Sequence, residues 1–496
     1  AATLFHTEEV PPFHVKGKTE PVRAHRVLEE TGSRPAEVID LLPFRGRDRE
    51  VELINAAVEA CDIGSGSVFT LLGDTGVGKT RLLQETIGEP DFAARGEPTG
   101  RDTPFRAIRD AVRGALEVER GTQEAMRSQL EEHLREQAPD LIAAGPLFGD
   151  LTAIDVPDNE ETRQLEAKFR AERAADALAD LLEATGDRLT IVGEDLHWAD
   201  EGSIAVMRAL ANRAAGNPWV VVWTMREGDG PDPVGETLPI DLLDDESALE
   251  IVHAATAATP LRPDDANRLV ERAGGNPLFL GELVRIVRTT GSVEGLPDSL
   301  EGVVSAEIDA LEPLPRRLLR TASVLGRSFR RVVLDAFLEP EQFSLDQATR
   351  RSLAHFLERD GTGRLKFSHA VVHDLAYSSL SYKRRRELHA RAAEVMIEAA
   401  GGDTDPIAGI LAGHHAEAGN HAKAWQYSRI AAEKAQDEYA NTEAASNFRR
   451  ALEAARLVHP PESDLAKVWT GLGDVLELAG RFEEAREAFG KALTLI

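Results

Sequence analysis

Eight consecutive residues combine three glycines, a lysine and a threonine at a spacing that suits phosphate chemistry. The glycines permit a tight turn whose backbone N–H groups can face a phosphate, and a following helix would direct its positive end at the same anion. The lysine can reach the outer phosphates of a nucleoside triphosphate, and the threonine hydroxyl can ligate Mg²⁺. The eight residues are Gly73, Asp74, Thr75, Gly76, Val77, Gly78, Lys79 and Thr80. They predict a binding site for ATP or ADP with Mg²⁺.

A pair of acids and one arginine end two other apolar runs. Glu194 and Asp195 close the run LTIVGED, and Arg226 closes the run WVVVWTMR. Because parallel strands end at the same edge of a sheet, we expect these side chains beside the phosphate-binding loop. The acids, with Thr80, would hold Mg²⁺ and orient the attacking water, and Arg226 would sense the γ-phosphate. A surface acid pair and a salt-bridged surface arginine are the alternatives.

Apolar runs alternate with helical patterns over the first half of the chain. The runs SVFTLLG, RLTIVGED and PWVVVWTMRE predict buried strands, and the alternation predicts a parallel α/β sheet with crossover helices. Beyond about residue 231 strand patterns are scarce, apart from a short β element predicted at 363–369. From about residue 400 the chain is helical and rich in alanine. The long helical stretches that separate the runs are predicted at 105–135, 161–185 and 202–215.

Charge and composition restrict the class of protein. The 496-residue chain has a net charge of −28, which disfavours nonspecific binding to nucleic acid or to anionic membrane. No apolar run of about 18 residues predicts a membrane-spanning helix, and no signal peptide is evident. The single cysteine, Cys61, excludes an internal disulfide and disfavours a thiolate metal site. We therefore expect a cytoplasmic multidomain protein, with no membrane and no nucleic acid among its partners.

Five segments occur in an order that is typical of one class of ATPase. They are LLPFRGRDREVELI, GDTGVGKT, GEDLHWAD, TMRE and GGNPLFLGELVR. Together they resemble the signal-transduction ATPases with numerous domains (the STAND class), in the AAA-type branch found in bacterial cyclases and large transcription regulators. The resemblance covers roughly residues 41–400. It implies an α/β P-loop NTPase with a parallel sheet and helices on both faces, followed by helical and winged-helix domains and an all-α tetratricopeptide solenoid.

The resemblance also implies roles for residues outside the loop. Phe44, Gly46 and Arg47 match a motif that packs near the nucleotide base, and Pro277 matches the glycine–x–proline turn that covers the adenine. By the same analogy His369 would sense the phosphates in a closed ADP state, and a core histidine of the winged helix is the alternative. The first acid is Glu194 where the class more usually has Asp, and Gly193 precedes it, so the rate of hydrolysis is left open.

Each end of the chain carries a further resemblance. The segment HVKGKTEPV at 14–22 resembles the last strand of a class III adenylate or guanylate cyclase domain, with an unrelated hairpin as the alternative. The rest of that fold and its metal-binding aspartates are missing, so this chain alone is not expected to make cyclic nucleotide. The C-terminal part resembles tetratricopeptide repeats, which usually bind a protein or peptide. The residues at the repeat spacing are Trp469, Leu472, Gly473, Leu476, Gly480, Ala485, Phe489 and Ala492, and one unit earlier Ala444, Phe448 and Ala451.

The predicted function is an ATP-binding regulatory switch, the regulatory half of a multidomain cyclase with the cyclase domain in cis. Slow hydrolysis of ATP to ADP and phosphate and a nucleotide-dependent oligomer are left open. The alternatives are the ATPase core of a LuxR-type, MalT-like transcription regulator, a housekeeping ATPase, and a repeat scaffold with a degenerate nucleotide site. The predicted domains are a cyclase remnant with linker (1–40), the NTPase (41–230), a helical domain (231–300), a winged-helix-like domain (301–400) and the repeats (401–496).

Overall fold

The structure is a computed structural model. It describes residues 3–13, 22–33, 42–98, 101–165, 169–228, 230–341, 345–359, 364–438 and 440–495. None of the helices in these ranges is both long and apolar enough to cross a membrane.

The N-terminal part forms a two-stranded antiparallel ribbon. Its strands are β1 (Thr3–Phe13) and β2 (Val22–Ser33), with Thr3 opposite Ser33 and Phe13 opposite Val22. Nearly all of the cyclase-like segment, residues 14–21, lies outside the described residues, so the resemblance to a cyclase strand stays a prediction.

A five-stranded parallel sheet forms the centre of the next part. The strands are β3 (Ser67–Leu72), β4 (Phe92–Arg95), β5 (Leu189–Glu194), β6 (Trp219–Met225) and β7 (Glu236–Pro239), and their order in the sheet is β4-β5-β6-β3-β7. The helices are α1 (Asp48–Asp62), α2 (Lys79–Thr86), α3 (Arg109–Ala115), α4 (Gln123–Gln137), α5 (Gly145–Thr152), α6 (Glu160–Gln164), α7 (Arg170–Ala184) and α8 (Glu201–Ala214).

The middle strand β6 is buried over its whole length, as expected for a parallel sheet covered on both faces. Val220 and Val222 pack on one face with α1 and α2, whereas Val221 and Trp223 pack on the other with α7 and α8.

The sheet is wider than the sequence patterns predict. The three predicted strands correspond to β3, β5 and β6, whereas the four-residue strands β4 and β7 were missed because they are too short to show a period. Strand β7 pairs with β3 from Phe69–Glu236 to Leu72–Pro239. The sheet therefore continues past residue 230, the predicted end of the NTPase domain, to Pro239. The helical stretch predicted at 105–135 is also interrupted, between Ala115 and Gln123, where Glu117 has a positive φ.

Short helices and a small antiparallel sheet follow the large sheet. The sheet has the order β8-β10-β9, and β10 occupies the β element predicted at 363–369. The elements are α9 (Asp245–Ala255), α10 (Pro263–Ala273), α11 (Pro277–Thr290), α12 (Leu300–Ala310), α13 (Pro313–Ala322), β8 (Ser328–Phe329), α14 (Arg331–Leu338), α15 (Gln347–Leu353), β9 (Leu357–Arg359), β10 (Leu365–Phe367) and α16 (Ala370–Ser378). We call the part from α12 to α16 the winged-helix region.

The C-terminal part is a solenoid of antiparallel helices, each packed on the next. It consists of α17 (Tyr382–Ala399), α18 (Ala408–Glu417), α19 (His421–Asp437), α20 (Asn441–Val458), α21 (Glu462–Leu478) and α22 (Phe482–Leu493). Small residues let neighbouring helices approach closely. Gly471 of α21 lies against the ring of Phe448 in α20, and Gly473 lies against Phe489 in α22.

The solenoid is anchored on the sheet domain by polar groups at buried positions. The Glu443 carboxylate accepts a hydrogen bond from the backbone N–H of Glu201, at the first residue of α8. Asn447, one turn further along α20, donates to the carbonyl of Asp102 at 3.0 Å, and Arg450 pairs with the Asp102 side chain. Glu443 is only 2% exposed, and its burial, together with the charge of the nearby Asp200, raises its pKa to about 8.

We predict that this anchor weakens as the pH rises. Between pH 4.5 and about 8 the folded chain holds a proton on Glu443 that the unfolded chain has released, so the folded state loses stability with increasing pH. Glu443→Gln should therefore raise the midpoint of thermal unfolding at pH 8 and leave it nearly unchanged at pH 5. The exposed Glu453→Gln on the same helix is the matched control. A lower midpoint for Glu443→Gln at pH 8, or equal shifts at both pH values, would contradict this account.

A pair of glycine substitutions tests the close approach of helices in the solenoid. A Cβ at Gly471 would lie 2.5 Å from Cζ of the buried Phe448, so Gly471→Ala should lower the free energy of unfolding by about 1–3 kcal/mol. A Cβ at Gly490 meets no atom within 4 Å, so Gly490→Ala should raise it by roughly 0.5–1 kcal/mol through helix propensity alone. Denaturant unfolding of both variants measures the difference. Equal changes in the two would show that helix propensity decides both.

Candidate functional site

The phosphate-binding loop connects β3 to α2 with the backbone that its glycines permit. Gly76 and Gly78 have φ values of +85° and +99°, a region that other L-residues rarely adopt, and Gly78 caps the N-terminus of α2. At Gly73 a Cβ would lie 2.5 Å from the carbonyl oxygen of Ile240, just after β7. The missed edge strand therefore packs directly against the loop, and only glycine fits there.

The structure brings the predicted lysine, acid and arginine to one place. Lys79 is 8% exposed, and its ammonium donates to the carbonyl oxygens of Gly73 and Asp74 at 2.6 and 2.9 Å. Burial lowers the pKa of Lys79, Asp195 and Asp74 raise it, and Arg226 lowers it. Asp195 and Arg226 therefore lie close enough to act on the charge of Lys79, as their places at the ends of β5 and β6 predict.

Oxygen ligands suitable for Mg²⁺ lie at the start of α2 and the end of β5. The Thr80 hydroxyl is 3.5 Å from Oε2 of Glu194. The other oxygen of Glu194 accepts a hydrogen bond from Arg95 at 2.9 Å. A hydroxyl and a carboxylate are hard donors of the kind that Mg²⁺ prefers, so this pair fits the ion. Arg95 was not predicted as a site residue because it ends β4, a strand too short to be recognised from the sequence.

The backbone around Asp195 is held in an unusual conformation. Asp195 has φ +51° and ψ 42°, a left-handed region that aspartate tolerates better than most residues. Its N–H donates to the Thr224 hydroxyl at 3.0 Å. At Gly96 a Cβ would lie 2.2 Å from the Asp195 carbonyl oxygen, and at Gly193 a Cβ would lie 2.7 Å from the Leu196 side chain. Gly193, unexpected in this strand, thus makes room for the turn that positions the acid.

The FRGR segment lies against the loop from the side of α1. Arg47 donates to the carbonyl oxygen of Val77 at 3.3 Å and also to that of Asp241. Phe44 packs on the apolar cluster that contains Val77. Gly46 has φ +72°, and a Cβ there would clash with Ser247. The segment therefore ties the loop to the first helix after the sheet.

The Gly-Asn-Pro turn contacts the loop directly. The N–H of Leu278 donates to the Gly76 carbonyl oxygen at 3.3 Å, and Asn276 Nδ2 donates to the Thr75 carbonyl oxygen at 3.4 Å. The Asn276 side chain also caps α11, because its Oδ1 accepts from Leu278 and Phe279. Pro277 lies beside Gly78, 3.9 Å from where a Cβ would be. Asn276, the middle residue of the glycine–x–proline turn, thus contacts the loop although it is not among the predicted site residues.

His369 lies away from these contacts, at the residue that precedes α16. In the described part of the chain no hydrogen bond or ion pair joins it to the phosphate-binding loop. Burial lowers its pKa, and the charged groups that act on it include Glu358, Glu282 and His355. Glu282 belongs to α11, so His369 lies within electrostatic range of the helix whose first turn contacts the loop.

Asp200, the last acid of GEDLHWAD, joins the acidic strand to the segment that contacts the repeats. It is 1% exposed and caps α8 by accepting from Ser203. It also accepts from the backbone N–H groups of Phe105 and Ala107 at 2.7 and 3.2 Å. The sequence showed this aspartate but not its partners, which lie more than 90 residues earlier.

Two family models match the chain. The model described as the AAA ATPase domain matches residues 43–222, and a tetratricopeptide repeat model matches residues 440–496. An uncharacterized protein of Rhizobium meliloti is 26% identical over 478 residues, which are 88% of this chain and 45% of that protein. The chain thus spans less than half the length of the curated relative that it matches.

Solved structures similar to this chain have low sequence identity. A Signal Transduction ATPase with Numerous Domains protein with a tetratricopeptide repeat sensor, from Pyrococcus horikoshii, is 14% identical with a TM-score of 0.49, over 92% of this chain and 65% of that one. The Aeropyrum pernix ORC1 protein in complex with DNA is 13% identical with a TM-score of 0.31, over 69% of this chain and 95% of that one. The matches of the two family models, together with the parallel sheet and the helical solenoid, confirm the predicted fold class. The chain carries a AAA ATPase domain followed, in its C-terminal part, by tetratricopeptide repeats.

Proposed function

We propose that this chain is an ATP-binding regulatory module of the STAND type, in which the bound nucleotide sets the arrangement of the domains that follow the sheet. The observation that carries the proposal is the direct contact between the loop and the first turn of α11. A phosphate bound by the loop would lie next to an element of the following domain, so its presence would bias that element's position.

The contact has the properties that a switch needs. The Asn276 side chain accepts hydrogen bonds from the first backbone N–H groups of α11. These groups would keep that partner if α11 moved away from the loop, so the movement would not leave all of them unpaired. Further along α11, Glu282 pairs with Arg285 and His355, and Arg285 also pairs with Glu307 of α12. These pairs join the far part of α11 to the winged-helix region. A displacement of α11 would therefore move the winged-helix region as well.

The residues of the loop support binding of a triphosphate. The Lys79 ammonium lies within reach of loop carbonyls that a phosphate would replace as its partners. Arg226 and Asp195 both shift the pKa of Lys79. Charged groups placed around the lysine in this way suit a site that distinguishes ATP, which has a γ-phosphate, from ADP, which has none. Thr80 and Glu194 would hold Mg²⁺, which would neutralise phosphate charge. Asp195 would orient a water molecule, and we propose slow hydrolysis of ATP to ADP and phosphate.

Four finer assignments belong to the same proposal. The repeats would bind a protein or peptide, and a cyclase domain would precede this chain in the full-length protein and receive the signal. His369 would approach the phosphates only after the winged-helix region has moved toward the loop. The module would act in the cytoplasm, where ATP is available.

Calorimetry with Mg-ATP and with ADP tests the proposal. We expect both to bind, with different affinities. Lys79→Ala should weaken ATP binding by about tenfold to a hundredfold, because it removes charge-assisted hydrogen bonds worth roughly 1.5–3 kcal/mol. The exposed Lys467→Ala is the matched control and should bind as the wild type does.

Two outcomes would overturn the proposal. Absence of binding to the wild type would make the chain a repeat scaffold with a degenerate loop. Equal affinity for ATP and ADP would show that the site makes no net favourable contact with the γ-phosphate, and this contact is what the proposed switch uses to favour one arrangement over the other.

A further inference from the structure

A cavity of about 600 Å³ lies where three parts of the chain meet, and no residue of the phosphate-binding loop lines it. We call it the junction cavity. Its walls come from the segment between β4 and α6, from the winged-helix region around β8, and from the turn between α17 and α18. The volume falls within the range typical of pockets for small organic ligands.

Arginines dominate the charged lining of this cavity. Arg106 and Arg113 come from the sheet domain, and Arg330 and Arg364 come from the winged-helix region. The acids among the described lining residues are Glu97 and Asp403, the latter an acceptor for Gln123 at 3.1 Å. Positive charge is therefore concentrated here, in a chain whose net charge is −28.

One half-buried acid, Asp110, offsets only part of this charge. Asp110 lies 2.6 Å from Arg120 and 3.6 Å from Arg364, and these and other arginines lower its pKa despite its burial. Arg106 lies 3.9 Å from Glu97. Arg113 donates to the Thr152 carbonyl oxygen, which carries no full charge.

The arginines around the cavity lower one another's pKa. Burial lowers the pKa of Arg364, and the nearby Arg106 lowers it further. Burial also lowers the pKa of Arg330, and Arg120 adds to the lowering. Arginine stays charged at neutral pH in spite of such shifts, so these guanidinium groups repel one another. A bound anion would reduce this repulsion.

The remaining lining is apolar and comes from the same three parts. Phe329 and Val333 belong to the winged-helix region, Met126 to α4, and Met396 and Ile410 to the helices α17 and α18. A ligand that fills the cavity would thus place an anionic group among arginines and an apolar body against these side chains.

We propose that the junction cavity binds a small organic anion, a phosphate ester or a carboxylate with an apolar body. The planar guanidinium group pairs with both kinds of anion through two parallel hydrogen bonds. Because the three walls belong to different parts of the chain, a bound anion would stabilise the arrangement in which they meet. This site is separate from the nucleotide site, and its occupancy does not require the function proposed above.

Binding of two simple probes tests the site. Phenyl phosphate represents phosphate esters and phenylacetate represents carboxylates, and both are titrated into the full chain carrying Lys79→Ala, so that the phosphate-binding loop does not contribute. We expect saturable binding of at least one probe and a higher midpoint of thermal unfolding in its presence. Adding Arg330→Gln should weaken that binding at least tenfold. The neighbouring Arg331→Gln, which removes an arginine that pairs with Asp335, is the matched control and should change the affinity less than twofold.

A thiol-protection experiment locates the probe independently of these arginines. Cys61 is 2% exposed, so in Ala399→Cys the introduced thiol at the cavity wall should react first with a maleimide. The bound probe should slow this reaction severalfold. Any one of three results would overturn the proposal. Neither probe binds saturably, Arg330→Gln and Arg331→Gln have equal effects on the affinity, or the introduced thiol is not protected at a saturating probe concentration. Loss of nucleotide binding in Lys79→Ala with probe binding retained separates this site from the nucleotide site.

Discussion

The approach of Asn276 to Gly76 is the contact on which the proposed coupling between domains depends. A Cβ at Gly76 would lie 2.9 Å from the Asn276 side-chain oxygen, so the two segments meet only because the loop residue is glycine. The same glycine has a positive φ, which turns the backbone of the loop. One residue thus serves both the shape of the phosphate site and its contact with α11. A nucleotide that alters the loop would act on both together.

A second connection runs from the acidic strand to the repeats. Asp195 ends β5 in a left-handed turn, and five residues later Asp200 caps α8 and holds the segment around Phe105. The first N–H of α8 is then bound by Glu443 of the solenoid. Buried carboxylates are costly unless they are hydrogen-bonded, so they favour one arrangement of these elements. The repeats are thereby fixed to the element that follows the predicted Mg²⁺ ligands.

The sequence predicted the parts of the site that depend on local spacing. The loop, the acids after β5 and the arginine after β6 each follow an apolar run, and parallel strands bring such ends together. Strands β4 and β7 have four residues each, too few to show a period, so Arg95 and the packing of Ile240 on the loop were missed. The Asp200–Phe105 and Glu201–Glu443 contacts join residues 95 and 242 positions apart, which no local pattern encodes. Each arginine of the junction cavity, taken singly, resembles an ordinary surface charge.

The central claim is that the nucleotide sets the position of the later domains relative to the sheet. Spin labels at Gln84→Cys, on the helix after the loop, and at the exposed Glu301→Cys, in α12 of the winged-helix region, measure this position. The native Cys61 is buried and should not be labelled. Pulsed electron paramagnetic resonance then gives the distance distribution with Mg-ATP and with ADP. The account predicts two different mean distances, and loss of the difference in Lys79→Ala. Identical distributions, with both nucleotides bound at saturation, would contradict it.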